Sequence, residues 1–391
     1  MLWLMAFACG VSVANICYNQ PLLGDFMTWF HATPAQVGWV AMASQAGYGI
    51  GLLFLLPLGD IVERSRLVLT IIWFCAAFLA FTTAATTLGW LILGNLLVGA
   101  ASMSAQILIP VAVELSPPRQ RGQTIGVMMT GLLGGILLAR TLAGFVGDHF
   151  GWRAMYGLAT VLMVALALLL RGRLPRRAPA VQLPYGQLMA SLWQVLKSQP
   201  LLWRSSPITA LSFGSFTAFW TCLSFLMAEH FHRGATETGL FGLVGLAGAL
   251  AAPHAGKLAD RRGAAFTVTL ALISTVVAFV LMDLWVSIPA LVIGVLLMDV
   301  GVQSVQVSEQ GTVLALLPEA RSRINTLYMV ARFIGGAAGS LAGAYAWSYG
   351  RWPAVCALMV GMNVVALAVH YVVLRRQAPA VSTLPELSEA A

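Results

Sequence analysis

The sequence predicts an all-α membrane protein, with twelve transmembrane helices arranged as two pseudo-symmetric six-helix bundles. Three observations carry that prediction. Of 391 residues only 22 Lys/Arg and 14 Asp/Glu are charged, 9% of the chain, against about 25% in an ordinary soluble domain. Hydrophobic residues make up 59% and mean hydropathy is +0.84, so most of the chain must sit against lipid or buried protein. Uncharged apolar stretches, each able to cross about 30 Å of hydrocarbon, recur along the whole length.

Taken in order, the first six stretches are Leu4 to Leu23, Val37 to Leu58, Leu67 to Thr87, Trp90 to Leu115, Gln123 to Gly147 and Trp152 to Leu170. Asn15, Tyr18, Asn19 and Gln20 interrupt the opening run where the apolar core of a signal peptide would continue, so it reads as a span. The second six are Pro207 to His230, Gly239 to Leu258, Ala264 to Leu284, Ile288 to Leu314, Ile324 to Trp347 and Pro353 to Leu374. The expected organisation is a first bundle over 1–170, a linker over 171–206, a second bundle over 207–374 and a tail over 375–391. Four prolines and a run of arginines mark the linker. Within it Tyr185, Leu188, Met189, Leu192, Val195 and Leu196 recur at helical spacing, which predicts an amphipathic helix on the membrane surface.

An even number of spans puts both termini on one side. The turns on that side and the tail hold 17 of the 22 basic residues, while Arg153, Arg233 and Arg351 lie opposite and Arg140 and Arg332 fall inside spans. The positive-inside rule then places both termini in the cytoplasm, with the chain in a bacterial inner membrane. The net charge of +8 is read as topogenic, and no nucleic-acid partner is expected. The five cysteines lie singly in apolar runs and imply neither disulfides nor a metal centre. No nucleophile elbow, phosphate loop or catalytic carboxylate pair is present, so no enzyme activity and no cofactor are expected.

The two halves repeat at an offset of 200 residues: Leu58/Leu258, Asp60/Asp260, Gly94/Gly294, Gln106/Gln306, Pro118/Pro318 and Arg121/Arg321. Parallel repeats about an axis along the membrane normal would give this pattern. The segment from Gly256 through Lys257, Leu258, Ala259, Asp260, Arg261 and Arg262 to Gly263 resembles the G-x-L-a-D-R-x-G signature of major facilitator superfamily transporters. The first-half copy keeps Leu58, Gly59, Asp60 and Arg64. The resemblance implies that the Asp of this turn meets the start of span 11 and that the Arg pairs with an acid near the inner end of span 4, where Glu114 stands. Solvation of a turn is the plainer reading of Asp60 and Asp260. Gly126, Gly131, Gly134 and Gly135 in span 5 resemble the family's antiporter signature, with Leu132 at its Pro position and Asn95 where exporters carry an Arg in span 4.

An ionisable side chain at the bilayer centre costs at least about 2.5 kcal/mol and is a functional candidate by default. Asp299 lies 11 residues into span 10, about 17 Å deep, and Arg332 lies in the adjacent span within reach of a pair. Asp299, Gln303, Gln306 and Gln310 share one face of span 10. Asn95, Ser102 and Gln106 repeat that stripe in span 4, and Asn15, Tyr18 and Asn19 mark span 1. The resemblance implies that spans 1, 4, 7 and 10 line the central cavity. In span 7, Phe213, Phe216, Phe219 and Trp220 form an aromatic surface that serves either packing or an apolar substrate wall. Arg140 lies about seven residues from the outer end of span 5, within reach of snorkelling. The leading expectation is a monomeric secondary transporter exporting a small organic or amphipathic compound in exchange for protons, with Asp299 as proton carrier. A proton symporter or uniporter for a polar nutrient, and a non-transporting receptor or scaffold, stand beside it.

Overall fold

Helices follow the apolar runs, and their ends follow capping chemistry. The computed structural model describes residues 1–174, 184–249, 252–315 and 320–377, and within them not the side chains of 201, 246–249, 252–255, 260 and 375–377. The first half contains α1 (Leu2–Ala14), α2 (Leu23–Phe30), α3 (Pro34–Phe54), α4 (Leu58–Ile61), α5 (Arg64–Thr83), α6 (Leu88–Ala101), α7 (Ser104–Glu114), α8 (Arg121–Phe150) and α9 (Trp152–Leu170). Next come α10 (Tyr185–Ser198), α11 (Pro200–Glu229), α12 (Ala235–Ala249), α13 (Ala252–Arg262), α14 (Ala264–Leu284), α15 (Ile288–Leu314) and α16 (Arg321–Gln377).

Among the described residues nine helical runs are long and apolar enough to cross a bilayer. One of them, α16, holds two spans, because Gly350 and Arg351 leave the helical region (φ −144°, ψ 20° and φ 53°, ψ −147°) just before Pro353. The shorter α1 with α2, and α12 with α13, supply the remaining two crossings. Thr33 opens α3 with a reciprocal cap: its hydroxyl accepts from Gln36 N–H while the Gln36 side chain accepts from Thr33 N–H. The repeat is visible in chemistry as well as spacing, since Thr87 and Ser287, 200 residues apart, cap α6 and α15 in the same way.

Two expectations need correction. Span 1 is not one helix: it unwinds after Ala14 and resumes at Leu23, through tight turns in which Cys17 N–H donates to Ala14 O (2.9 Å) and Leu22 N–H to Asn19 O (3.1 Å). Pro21 has no N–H to continue the ladder, and Asn15 offers its side chain to Ser12 O (3.0 Å), competing with the helix. Span 4 breaks likewise at Ser102 and Met103. Irregular backbone at this depth is tolerated because Asn15, Tyr18, Asn19 and Gln20 are all buried in protein. α10 is amphipathic, burying Leu188, Leu192 and Val195, and Tyr185 Oη donates to Phe54 O (2.9 Å). The tail beyond 377 lies outside the described residues.

Helix contacts depend on residues without side chains. α1 crosses α8 so closely that a Cβ at Gly135 would stand 2.2 Å from Gly10 O, whereas Gly134, one residue earlier, meets nothing within 4 Å. Gly135 therefore holds the first bundle together, and Gly134 has no packing duty here.

Candidate functional site

The two halves are separated on the face that carries most of the arginines. A cavity of about 700 Å³ opens there between α4 and α7 of the first bundle and α15 and α16 of the second, lined by Asp60, Gln106, Ile109, Gln310, Arg321 and Asn325. At its rim Arg64 joins two elements, bonding Glu114 at 2.5 Å and Gly59 O at 3.0 Å and standing 3.6 Å from Asp60. Asp60 and the first turn of α16 both line the cavity, and the ion pair that Asp60 makes is with Arg64. Arg261 is exposed, and the side chain of Asp260 lies outside the described residues.

On the opposite face the bundles touch. Ser224 in α11 donates to Pro21 O (3.2 Å) and accepts from Gly24 N–H (3.3 Å). Asp148, at the end of α8, accepts the N–H groups of Ala235 (2.9 Å) and Thr236 (2.6 Å). A carboxylate from one bundle thus caps the positive end of a helix in the other. Thr141 donates to Gly239 O (3.1 Å) along the same seam. Sequence reasoning missed this latch because the capping residue is remote in sequence from the helix it caps.

Asp25 of α2 lies near Asp148, and its Oδ2 has no hydrogen-bond partner.

Several chargeable groups are buried away from the cavity. Among the described residues the buried Arg, Lys, Asp, Glu and His side chains are Arg140, Asp299, Glu309, Arg332 and His370. Arg140 of α8 donates to Gln20 Oε1 (2.7 Å) in the unwound part of span 1. Its guanidinium lies 3.9 Å from the Trp220 ring and 5.9 Å from that of Phe216. α12 covers Arg140 and Asp299 together: a Cβ at Gly245 would stand 2.8 Å from Asp299 Oδ2, and one at Gly242 3.1 Å from Arg140 Cβ.

The expected Asp299 with Arg332 pair is corrected: among the described residues Asp299 forms no ion pair, with Arg332 or with Arg140. Arg332 stacks instead on Phe213 at 4.0 Å. The outer-end reading of Arg140 is corrected too. α8 continues to Phe150, which puts Arg140 ten residues from its end, with only 3% of its surface exposed. Glu309 faces His370 at 3.8 Å inside the second bundle.

The polar stripes divide. Gln106 and Gln310 reach the cavity, where Gln106 donates to Tyr48 Oη (3.3 Å) and Gln310 to Asn325 Oδ1 (2.7 Å). Gln303 is half-buried, and Gln306 accepts through its carbonyl from Tyr328 Oη (3.5 Å). Deeper groups are spent inside the first bundle: Asn95 Oδ1 accepts from Asn19 (3.0 Å) and Tyr156 (3.0 Å), Ser102 donates to Val98 O (2.6 Å), and Tyr18 is buried.

A helical bundle pair with a one-sided cavity and buried charges in both halves fits a membrane transporter. The family model of the Major Facilitator Superfamily matches residues 2–282 and 206–390, and the chain belongs to that superfamily. Two relatives are named as transporters. YgaY of Escherichia coli O157:H7 is 39% identical over 378 residues, 96% of this chain and 95% of that one. SCO4007 of Streptomyces coelicolor is 34% identical over 358 residues, 91% and 83% of the two chains. Among solved structures, a bacterial homologue of the human lysosomal transporter Spinster, inward-facing and unoccupied, shares the fold at a TM-score of 0.78 with 13% identity over 96% of both chains.

Proposed function

We propose that this transporter exports a small amphipathic organic compound in exchange for protons, with Asp299 as the proton carrier. The observation that carries the reading is that Asp299 and Arg140 are both buried under α12, packed against Gly245 and Gly242. Asp299 belongs to the second bundle and Arg140 to the first, so a proton on the carboxylate changes the attraction between the very halves that must rock apart. The positive-inside rule sets the arginine-rich face, and with it the open cavity and both termini, toward the cytoplasm of a bacterial inner membrane. Export loads from that side, and the glycine run of α8 resembles the antiporter signature. No cofactor is required beyond the proton gradient, and one chain carries the whole site.

The test uses everted membrane vesicles that contain the protein and are acidified inside by respiration. A panel of lipophilic cationic, neutral and anionic compounds is added while a fluorescent weak base reports the pH gradient. At least one compound is expected to dissipate the gradient with the wild type and none with Asp299→Asn, while both proteins are present in equal amount. Equal dissipation by the two would remove Asp299 from coupling.

A further inference from the structure

We infer that the substrate is an organic anion and that Arg332 is the residue that recognises its charge. This rests on the transport reading above and names the substrate class for that same central site. The two buried arginines are not equivalent. Arg140 is committed to Gln20 and to the face of Trp220. Arg332, 6% exposed, forms no ion pair, and its Nη1 has no hydrogen-bond acceptor. Its contact is the face of Phe213. A buried guanidinium left unpaired is costly, and a carboxylate that entered beside it would gain a charge-assisted and geometrically matched bond.

The path to Arg332 starts at the cavity. Gln106 in the cavity wall bonds Tyr48, whose ring lies 4.4 Å from Phe333, and Phe333 lies 5.4 Å from Phe213. Asn325, also in the wall, is seven residues before Arg332 on α16, two turns along the same helix face. A chain of contacting side chains, Gln106, Tyr48, Phe333 and Phe213, thus links the cavity to Arg332.

The groups beyond Arg332 describe the rest of the ligand. Phe213 stacks on Phe216 at 5.6 Å, and Phe216 meets Trp220 at 6.1 Å. The indole N–H of Trp220 is buried without an acceptor. The site therefore offers an anion-binding guanidinium at one end, an aromatic wall in the middle and a spare donor at the other end. An amphipathic molecule with a carboxylate on an aromatic or apolar body satisfies all three. The alternative, that Arg332 only fills space against Phe213, predicts no preference for ligand charge.

The experiment measures binding by purified full-length protein in detergent, with no gradient, through thermal stabilisation. The probes are 4-phenylbutyrate and 2-naphthylacetate, their primary amides, and the matched arylalkylamines. The carboxylates are expected to stabilise the wild type with half-saturation at least tenfold below the amides. Arg332→Gln is expected to abolish that preference and Arg332→Lys to keep part of it. The charge-matched probes need no variant, so the inference stays testable even if Arg332→Gln does not fold. It is overturned if amides or amines bind as well as carboxylates, if no carboxylate of the series binds, or if Arg332→Gln retains the preference. Because no gradient is applied, failure of proton coupling leaves this result intact, and failure here leaves proton coupling intact.

Discussion

Gly144→Leu is expected to abolish transport while leaving a folded protein, trapped open on the face that is closed in the present structure. A Cβ at position 144 would stand 2.1 Å from Ala235 O, and Ala235 belongs to the backbone of a helix in the other bundle. Nothing in that contact belongs to the interior of either bundle, so the wedge opposes closure and not folding. Overpacking a close contact costs about 3 kcal/mol, which shifts the ratio of conformers about 150-fold. The seam also loses the two hydrogen bonds that Asp148 accepts, because α12 must move away for the leucine to fit.

The readout is flux together with thiol labelling of a cysteine placed at Ser224 in a cysteine-free background. Ser224 is buried at that seam and should label slowly from outside in the parent and at least tenfold faster beside Gly144→Leu. The comparison variant is Gly135→Leu. Its contact with Gly10 lies inside the first bundle, so it is expected to lower the yield of folded protein instead of trapping a state. Unchanged flux in Gly144→Leu would show that α8 and α12 need not approach this closely during the cycle.

The sequence made the crossings legible because an apolar run twenty residues long has one stable use in lipid, and the turn chemistry between runs is local. The start of span 10 was legible for the same reason: α15 begins at Ile288, so Asp299 does stand 11 residues into it. Azimuth between helices was not legible. The period of 3.6 says which residues share a face, but which neighbour that face meets depends on how helices cross, and crossings are set by small residues far away in sequence. Asp299 and Arg140 come under one helix because Gly242 and Gly245 let α12 close over both. Gln20 escaped notice because it was read as an interruption of span 1, when its value comes from the unwound backbone that turns it toward Arg140.

The partner exchange between the arginines has an energetic consequence that stability measurements can read. Arg140→Gln removes the cation that lies with Asp299 under α12, while the carboxylate, whose Oδ2 already lacks a hydrogen bond, stays buried. Taking a compensating charge away from a buried ionised group is destabilising. Asp299→Asn is milder, because the remaining arginine keeps Gln20 and the Trp220 ring. The double variant removes both charges and should recover much of the loss of Arg140→Gln, giving a coupling of about 1–3 kcal/mol in a double-mutant cycle. The same cycle run on Asp299 and Arg332 should be additive to within about 0.5 kcal/mol, because Arg332 rests on Phe213 and not on the carboxylate. Thermal unfolding of the purified variants supplies both cycles. The reverse pattern, with coupling to Arg332 and additivity with Arg140, would return the proton carrier to the pairing that helix depth alone suggested. It would also leave Arg332 unavailable as the receptor for an anionic substrate, because a guanidinium already neutralised by Asp299 offers an incoming carboxylate no net charge. The assignment of the two arginines, one to the proton and one to the substrate, therefore stands or falls on which cycle is coupled.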